Sequence, residues 1–499
     1  MNDSPRNLAA AGRNLRQPRV PSSLDLRMPT AMSALRKPQP RGLMLTSMLC
    51  LLVWSGYNTS IYDSMDPHFP KDFANFVHGV RAFFPILAGV IAAVQLAQRR
   101  SLRKWLSFSP LILLLLYAGI GLASSISVSP APIAAAYWAL QYSSVIVVVS
   151  AVASGPAPEA HLARFISVNW GCCAAVCLGL LAGIPLLGGF SPTPKAGGSP
   201  LRLIAYGKVR EEVMGMAGPR NTGLGRFAGI VILVGLAKLL HDRKDKKTLF
   251  IWIPLMLAAG AALLLSQART SWVSVVVAVA VLLARAPTRW RVPIIMIALL
   301  ALPLVWLSGF GHTSMLYLTR GREFDPTLTG RTVTWAKGWQ VLQQSPWVGL
   351  GFWADRYFLK GWNAHNTFLD ALMQCGYLGL VPFVIAVVWV WVGVLRFYCT
   401  KPAAEASSLP GELLSVMTFL TVYSVTEITC SFYSVGWMVM APLFAHVQLR
   451  LYQNARKRQS MLLSPAPLSG STALAARRAA PHPGGDVASG VERGRQKFP

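Results

Sequence analysis

His365 and Asn366 are followed nine residues on by Gly376 and then by Gly379, where a long polar segment re-enters an apolar stretch. A neutral imidazole is the side chain best poised near neutral pH to take a proton from a hydroxyl. Asn363 and Asn366 are both good helix caps, and Phe368, Leu369, Leu372 and Met373 recur at helical spacing up to a glycine stop at Gly376. His365 therefore falls at or just before a helix start, where the positive end of the helix dipole disfavours imidazolium. That placement keeps a base neutral.

The elements that must position this histidine are membrane helices. The 499-residue chain is 53% hydrophobic and only 13% charged, with a mean hydropathy of +0.45, whereas soluble domains carry roughly a quarter charged residues. Apolar runs near the bilayer-spanning length occur at 43–61, 80–98, 106–126, 133–152, 168–190, 249–266, 292–310 and 377–397. Residues 223–240, 271–284, 413–428 and 433–449 are shorter or more polar, and become spans once the flanking charges are considered. The reading is an all-α polytopic membrane protein with about twelve spans and a large outer, periplasmic loop carrying short helices.

A formal charge of +28 would suit a nucleic-acid binder, but its distribution marks orientation instead. With a cytoplasmic N-terminus, most Lys and Arg fall in inner segments: residues 1–42, the basic turn at 99–104, a short loop with Arg164, the turn at 243–247, residues 285–291, the loop with Arg396 and Lys401, and everything after 450. That is the positive-inside pattern. The expected organisation is a basic disordered tail (1–42), spans one to nine (43–310) with an outer loop at 191–222, a large outer catalytic loop (311–376), spans ten to twelve (377–450) and a second basic tail (451–499). Anionic headgroups are the simplest partner for both tails. No cleavable signal peptide is expected, because the first 42 residues are polar and basic.

Long loops in a compact bundle usually carry function. In the larger one, residues 332–344 place Trp335, Trp339 and Leu342 at helical spacing, Pro346 follows, and Gly349-x-Gly351 makes a tight connection. This reads as an amphipathic helix lying on the membrane. Span direction brings Arg220, Arg226, Arg269, Arg331, His365 and Glu427 to the outer face. Arg226 can equally serve lipid headgroups, and Glu427 can be a structural acid paired with an arginine, although an intramembrane carboxylate is a functional suspect. The Cys172-Cys173-x-x-x-Cys177 cluster reads as small packing residues, because neither a His nor a carboxylate shares its span.

His365-Asn366-x9-Gly376-x2-Gly379, with Gly330-Arg331-Thr332, Trp335, Pro346 and Gly349-x-Gly351 ahead of it, resembles the signature of the O-antigen ligase and polymerase superfamily. The Gly-Arg-Thr segment and Trp362-Asn363-Ala364-His365-Asn366 look closer to exopolysaccharide polymerases than to lipid A core ligases. The resemblance implies a metal-independent, cofactor-free glycosyltransferase at the outer face of the inner membrane, with an undecaprenyl-diphosphate-linked glycan as donor and a second glycan as acceptor. It gives His365 the role of base, and Arg269 and Arg331 the diphosphate. Arg220 fits the pattern less clearly, and Asn366, Gly376 and Gly379 are motif positions. A ligase, which shares donor and base and differs in acceptor, is the alternative. A chain-length regulator or export complex is a candidate partner, and nucleic acid is not.

The chemistry agrees with an arginine site. Breaking a sugar–diphosphate bond builds negative charge on the leaving phosphate. The expected outer loops hold scattered Asp63, Asp66, Asp325, Asp355 and Asp370 and no Asp-x-Asp pair, whereas a guanidinium gives phosphate a fixed bidentate fork. A secondary transporter would also have about twelve spans, but carriers place polar residues at mid-membrane and show repeat symmetry.

Overall fold

The computed structural model describes residues 40–57, 80–98, 109–188, 221–241, 245–266, 268–285, 331–359, 363–398 and 408–463. The expected span at 292–310, most of the first outer loop (191–220), residues 311–330 and 360–362 of the second, Arg220, Cys399, residues 1–39 and residues 464–499 lie outside the described residues.

Every described element is helical: α1 (Pro40–Ser55), α2 (Phe84–Gln98), α3 (Pro110–Ser127), α4 (Pro132–Ala153), α5 (Pro158–Gly188), α6 (Asn221–His241), α7 (Lys246–Ser266), α8 (Arg269–Arg285), α9 (Arg331–Leu342), α10 (Ala354–Phe358), α11 (Thr367–Tyr398), α12 (Leu409–Ser424) and α13 (Val435–Leu463). Seven described helices are long and apolar enough to cross a membrane, and Arg41–Ser55 and Arg269–Ala284 are shorter apolar helices. The chain is a multi-pass, all-helical membrane protein. Proline at the first turn opens α3, α4 and α12, where a missing N–H costs nothing. Ser109 caps α3, its Oγ accepting the Ile112 amide at 3.3 Å.

Several boundaries differ from the expectation, and helix α13 runs on to Leu463, into the tail expected to be disordered from residue 451. Helix α5 starts at Pro158, ten residues before the expected span, because Leu162, Phe165 and Ile166 bury one face against the bundle. Arg164 therefore sits on a helix, not in a loop, and its Nε donates to Ser47 Oγ at 2.9 Å. Helix α12 ends at Ser424, not at residue 428, so Glu427 lies in the irregular segment beyond it.

Helices α3, α4, α11 and α13 meet around aromatic side chains. Tyr142 stacks on Trp437 at 4.4 Å, and Tyr117 packs on Tyr142, Phe352 and Phe383. Such rings bury large apolar area and also fix geometry. Cys173 and Cys177 are buried in this core and Cys172 is half-buried, as small packing residues.

The ends of the bundle differ in chemistry. At one end Glu412, buried in α12, accepts from Lys238 Nζ at 2.8 Å, from Trp170 Nε1 at 2.8 Å and from Ser408 Oγ at 2.7 Å. Its charge is thus paired and hydrogen-bonded, as burial requires. Glu427 lies three residues past the other end of the same helix, whose axis runs about 18 Å from Glu412 to Ser424 at 1.5 Å per residue. That second end carries His365.

Candidate functional site

The site begins with a broken helix. In α11 the backbone leaves helical geometry at Gly376 (φ 61°, ψ −167°), so a short helix over 367–375 precedes the long apolar one. A break inside a bundle exposes backbone groups that must find partners. The 346–351 loop supplies them. Leu350 N donates to Met373 O (2.8 Å) and Gly351 N to Gln374 O (2.9 Å), while Pro346 O and Trp347 O accept from Tyr377 N (2.9 Å) and Leu378 N (3.0 Å). Gly376 is required twice: its φ is left-handed, and a Cβ there would run into the Trp347 backbone. Gly349 (φ 74°) faces the same junction, where a Cβ would meet the amides of Cys375 and Gly376. Gly379 serves packing, since a Cβ would collide with Cys375 and crowd Tyr117.

Asn366, not Asn363, caps the short helix. Its Oδ1 accepts the Phe368 and Leu369 amides, both at 2.9 Å. Its Nδ2 donates to Val425 O at 2.9 Å, which ties the helix start to the segment beyond α12. Thr367 adds to that tie: its Oγ1 donates to Glu427 O (2.9 Å) and accepts from Thr429 N (3.0 Å). His365 sits between these anchors with φ 50°, a left-handed conformation uncommon outside glycine and asparagine. On its other side Ala364 N donates to Asp355 Oδ2 at 3.3 Å. Contacts on both flanks thus hold the strained residue.

Glu427 joins two of the singled-out side chains. One carboxylate oxygen accepts from Arg331 Nη2 at 2.6 Å and the other faces His365 Nδ1 at 3.2 Å. The carboxylate is 7% exposed, so these partners are what make its burial tolerable. Because a carboxylate oxygen only accepts, the contact places a proton on Nδ1, so that in the neutral imidazole the lone pair is on Nε2.

Arg331 opens α9, and its Nη1 reaches Thr270 Oγ1 at 3.4 Å. Thr426 Oγ1 also donates to Thr270, at 3.1 Å. The start of α8, with Arg269 as its first residue, is thereby drawn against Arg331 and the Glu427 segment. Arg269 itself is exposed. Arg226 lies half-buried in the first turns of α6, its guanidinium carbon 5.9 Å from the Phe227 ring centroid and its Nε shielded from solvent. The structure so brings His365, Glu427, Arg331 and Asn366 into one cluster, with Arg269 beside it.

Behind the cluster lies a buried polar layer that sequence reasoning did not single out. Asp370 Oδ2 accepts from Ser431 Oγ (2.6 Å) and Gln374 Nε2 (2.7 Å), and Tyr117 OH donates to Gln374 Oε1 at 3.2 Å. Asp355 is buried as well, and loss of hydration raises its carboxyl above the usual range against the opposing pull of Arg356. Asp370 is spaced i, i+4 from Gln374 and could have been paired with it on that ground.

Comparison with known proteins addresses the same region. Residues 254–384 match a family model described as O-Antigen ligase, a stretch that holds Arg269, Arg331, His365, Asn366, Gly376 and Gly379 but ends before Glu427. A 163-residue segment is 29% identical to "Exopolysaccharide production protein ExoQ" of Rhizobium meliloti (strain 1021), covering 29% of this chain and 35% of that protein. The chain thus spans about a third of the length of this relative. Over the stretch that the family model matches, which carries both the motif and the helix break, the chain is O-antigen ligase/polymerase-like.

Proposed function

We propose that the chain is a membrane glycosyltransferase that polymerises an undecaprenyl-diphosphate-linked glycan at the periplasmic face of the bacterial inner membrane, producing an exopolysaccharide or O-antigen. The observation that carries this reading is the bridge from Arg331 through Glu427 to His365. It sets a directed base beside a fixed cation at one end of a helical bundle. The name of the relative from Rhizobium meliloti, an exopolysaccharide production protein, favours polymerisation over ligation to a lipid A core.

In the proposed step, His365 Nε2 takes the proton of an acceptor-sugar hydroxyl. The freed oxygen pair attacks the anomeric carbon of the lipid-linked glycan, with inversion. The bond from that carbon to the diphosphate oxygen breaks, and its electrons leave on the diphosphate. Glu427 holds Nδ1 and stabilises the imidazolium that forms, while Arg269 and Arg331 receive the leaving group. Glu427 and Thr270 engage only part of the Arg331 guanidinium, which has five N–H donors. The remainder can serve phosphate. Arg220 is kept as a third diphosphate contact, and the guanidinium groups stand in for a metal ion.

Charge supports this side of the membrane. Arg41, Arg164, Lys246, Lys247 and Arg450 lie toward the end opposite His365: Arg450 pairs with Glu159 at 3.6 Å and Arg164 meets Ser47. The positive-inside bias assigns that end and both tails to the cytoplasm.

Product analysis in a deletion strain tests the reading. Complemented with His365→Ala at wild-type membrane levels, the strain is expected to make no polymer and to accumulate lipid-linked single repeats. Accumulated full-length lipid-linked polymer would identify a ligase instead, and normal polymer would remove His365 from the reaction.

A further inference from the structure

Between α9 and the first turn of α11 lies a cleft of about 560 Å³, lined by Trp335, Ala336, Trp339, Gln340, Asn366 and Leu369. Small-molecule sites fall in the range of roughly 300–1,000 Å³. Its wall includes Asn366, the residue that follows His365.

Three features bear on the occupant. The Trp335 indole N–H is shielded from solvent and has no hydrogen-bond partner among the described residues. An indole N–H can only donate, and buried donors are normally satisfied. Trp339 lines the cleft and is 49% exposed, so part of its ring is open to a ligand. Gln340 adds an exposed amide that can both donate and accept.

We propose that this cleft is the acceptor subsite and binds a pyranose ring of the acceptor glycan, an inference that rests on the glycosyl-transfer reading above. Trp339 offers its flat face to the C–H face of the sugar. The exposed Gln340 amide and, as the ring seats, the otherwise shielded Trp335 N–H answer ring hydroxyls. An isoprenoid chain could lie on the same rings, but it would leave the indole N–H and the amide without partners. The paired aromatic and polar lining favours a saccharide.

The test uses the full-length protein in nanodiscs with two probes: oligosaccharides released from the cell's own polymer by mild acid, and undecaprenyl phosphate. Saturation-transfer NMR titrations should give equal oligosaccharide affinity for wild type and His365→Ala. Trp339→Ala should weaken it at least tenfold and Trp335→Phe severalfold, with undecaprenyl phosphate binding unchanged in all four proteins and melting temperatures matched. The proposal is overturned if the wild type does not bind the oligosaccharides or if both tryptophan variants bind them like wild type. It is equally overturned if the substitutions weaken undecaprenyl phosphate instead, which would make the cleft a lipid groove. Failure of the glycosyl-transfer reading shows separately, as polymer made by His365→Ala.

Discussion

Glu427 faces Nδ1 of His365 at 3.2 Å, which leaves Nε2 as the nitrogen free to act on a substrate. Its other oxygen is committed to Arg331. Glutamine cannot reproduce both contacts, because its amide offers one accepting oxygen and a donating nitrogen. Glu427→Gln is therefore expected to lose most activity, and Glu427→Ala to fall about 100-fold or more, the scale of a misdirected general base. Initial rates on lipid-linked donor check this, and near-wild-type rates for Glu427→Gln would make the bridge merely structural.

Arg331→Lys keeps the charge but cannot span Thr270 and Glu427 at once. We expect a loss of tenfold or more in rate with normal membrane insertion. Arg269→Lys should be impaired for loss of the fork, with a smaller effect on thermal stability, because Arg269 is exposed. Parallel rate and melting measurements separate the two. If the arginines carry the leaving charge, a chelator should leave both wild-type and mutant rates unchanged.

Gly376→Ala should be a folding mutation. A left-handed φ costs an alanine about 1–2 kcal/mol, and its Cβ also meets the Trp347 backbone. The expected outcome is a melting temperature several degrees lower, or failure to accumulate. Asn366→Asp keeps the cap acceptor and loses the donor to Val425 O, so it should melt close to wild type yet lose activity. Asn366→Ala loses the cap too, at about 1 kcal/mol. Melting curves in detergent rank the three.

Burial raises the Asp355 carboxyl, so the folded state binds its proton more tightly than the unfolded chain does. For a carboxyl raised on folding, the stabilising contribution is full below the unfolded value and is lost as pH rises through the folded one. Asp355→Asn, a neutral isostere that can still accept from Ala364 N, should be more stable than wild type at pH 7–8. That advantage should shrink toward pH 4. Melting temperatures across this range check the sign.

Much of the region around His365 was legible because turn chemistry leaves marks in sequence. A cap residue, helical spacing and a glycine stop described the 367–375 helix, and Asn366 and Gly376 sit at its ends. Trp335, Trp339 and Leu342 likewise marked α9, observed as Arg331–Leu342. Thr270 and Thr367 left no such mark: hydroxyls are common in apolar helices, and only the folded chain shows which meet Arg331 and Glu427. Helix ends were less readable than helix identity. Hydropathy reports apolar content and not where a backbone stops being helical, which is why Glu427 was read as part of a span and Arg164 as part of a loop.

The central claim is that His365 and Glu427 act as one unit, and a double-mutant cycle on initial rates of glycosyl transfer by the purified full-length protein tests it most directly. The account predicts that His365→Ala alone removes at least 100-fold of the rate and that adding Glu427→Ala costs little more. Independent, multiplying losses, or a His365→Ala enzyme that turns over like wild type, would contradict it.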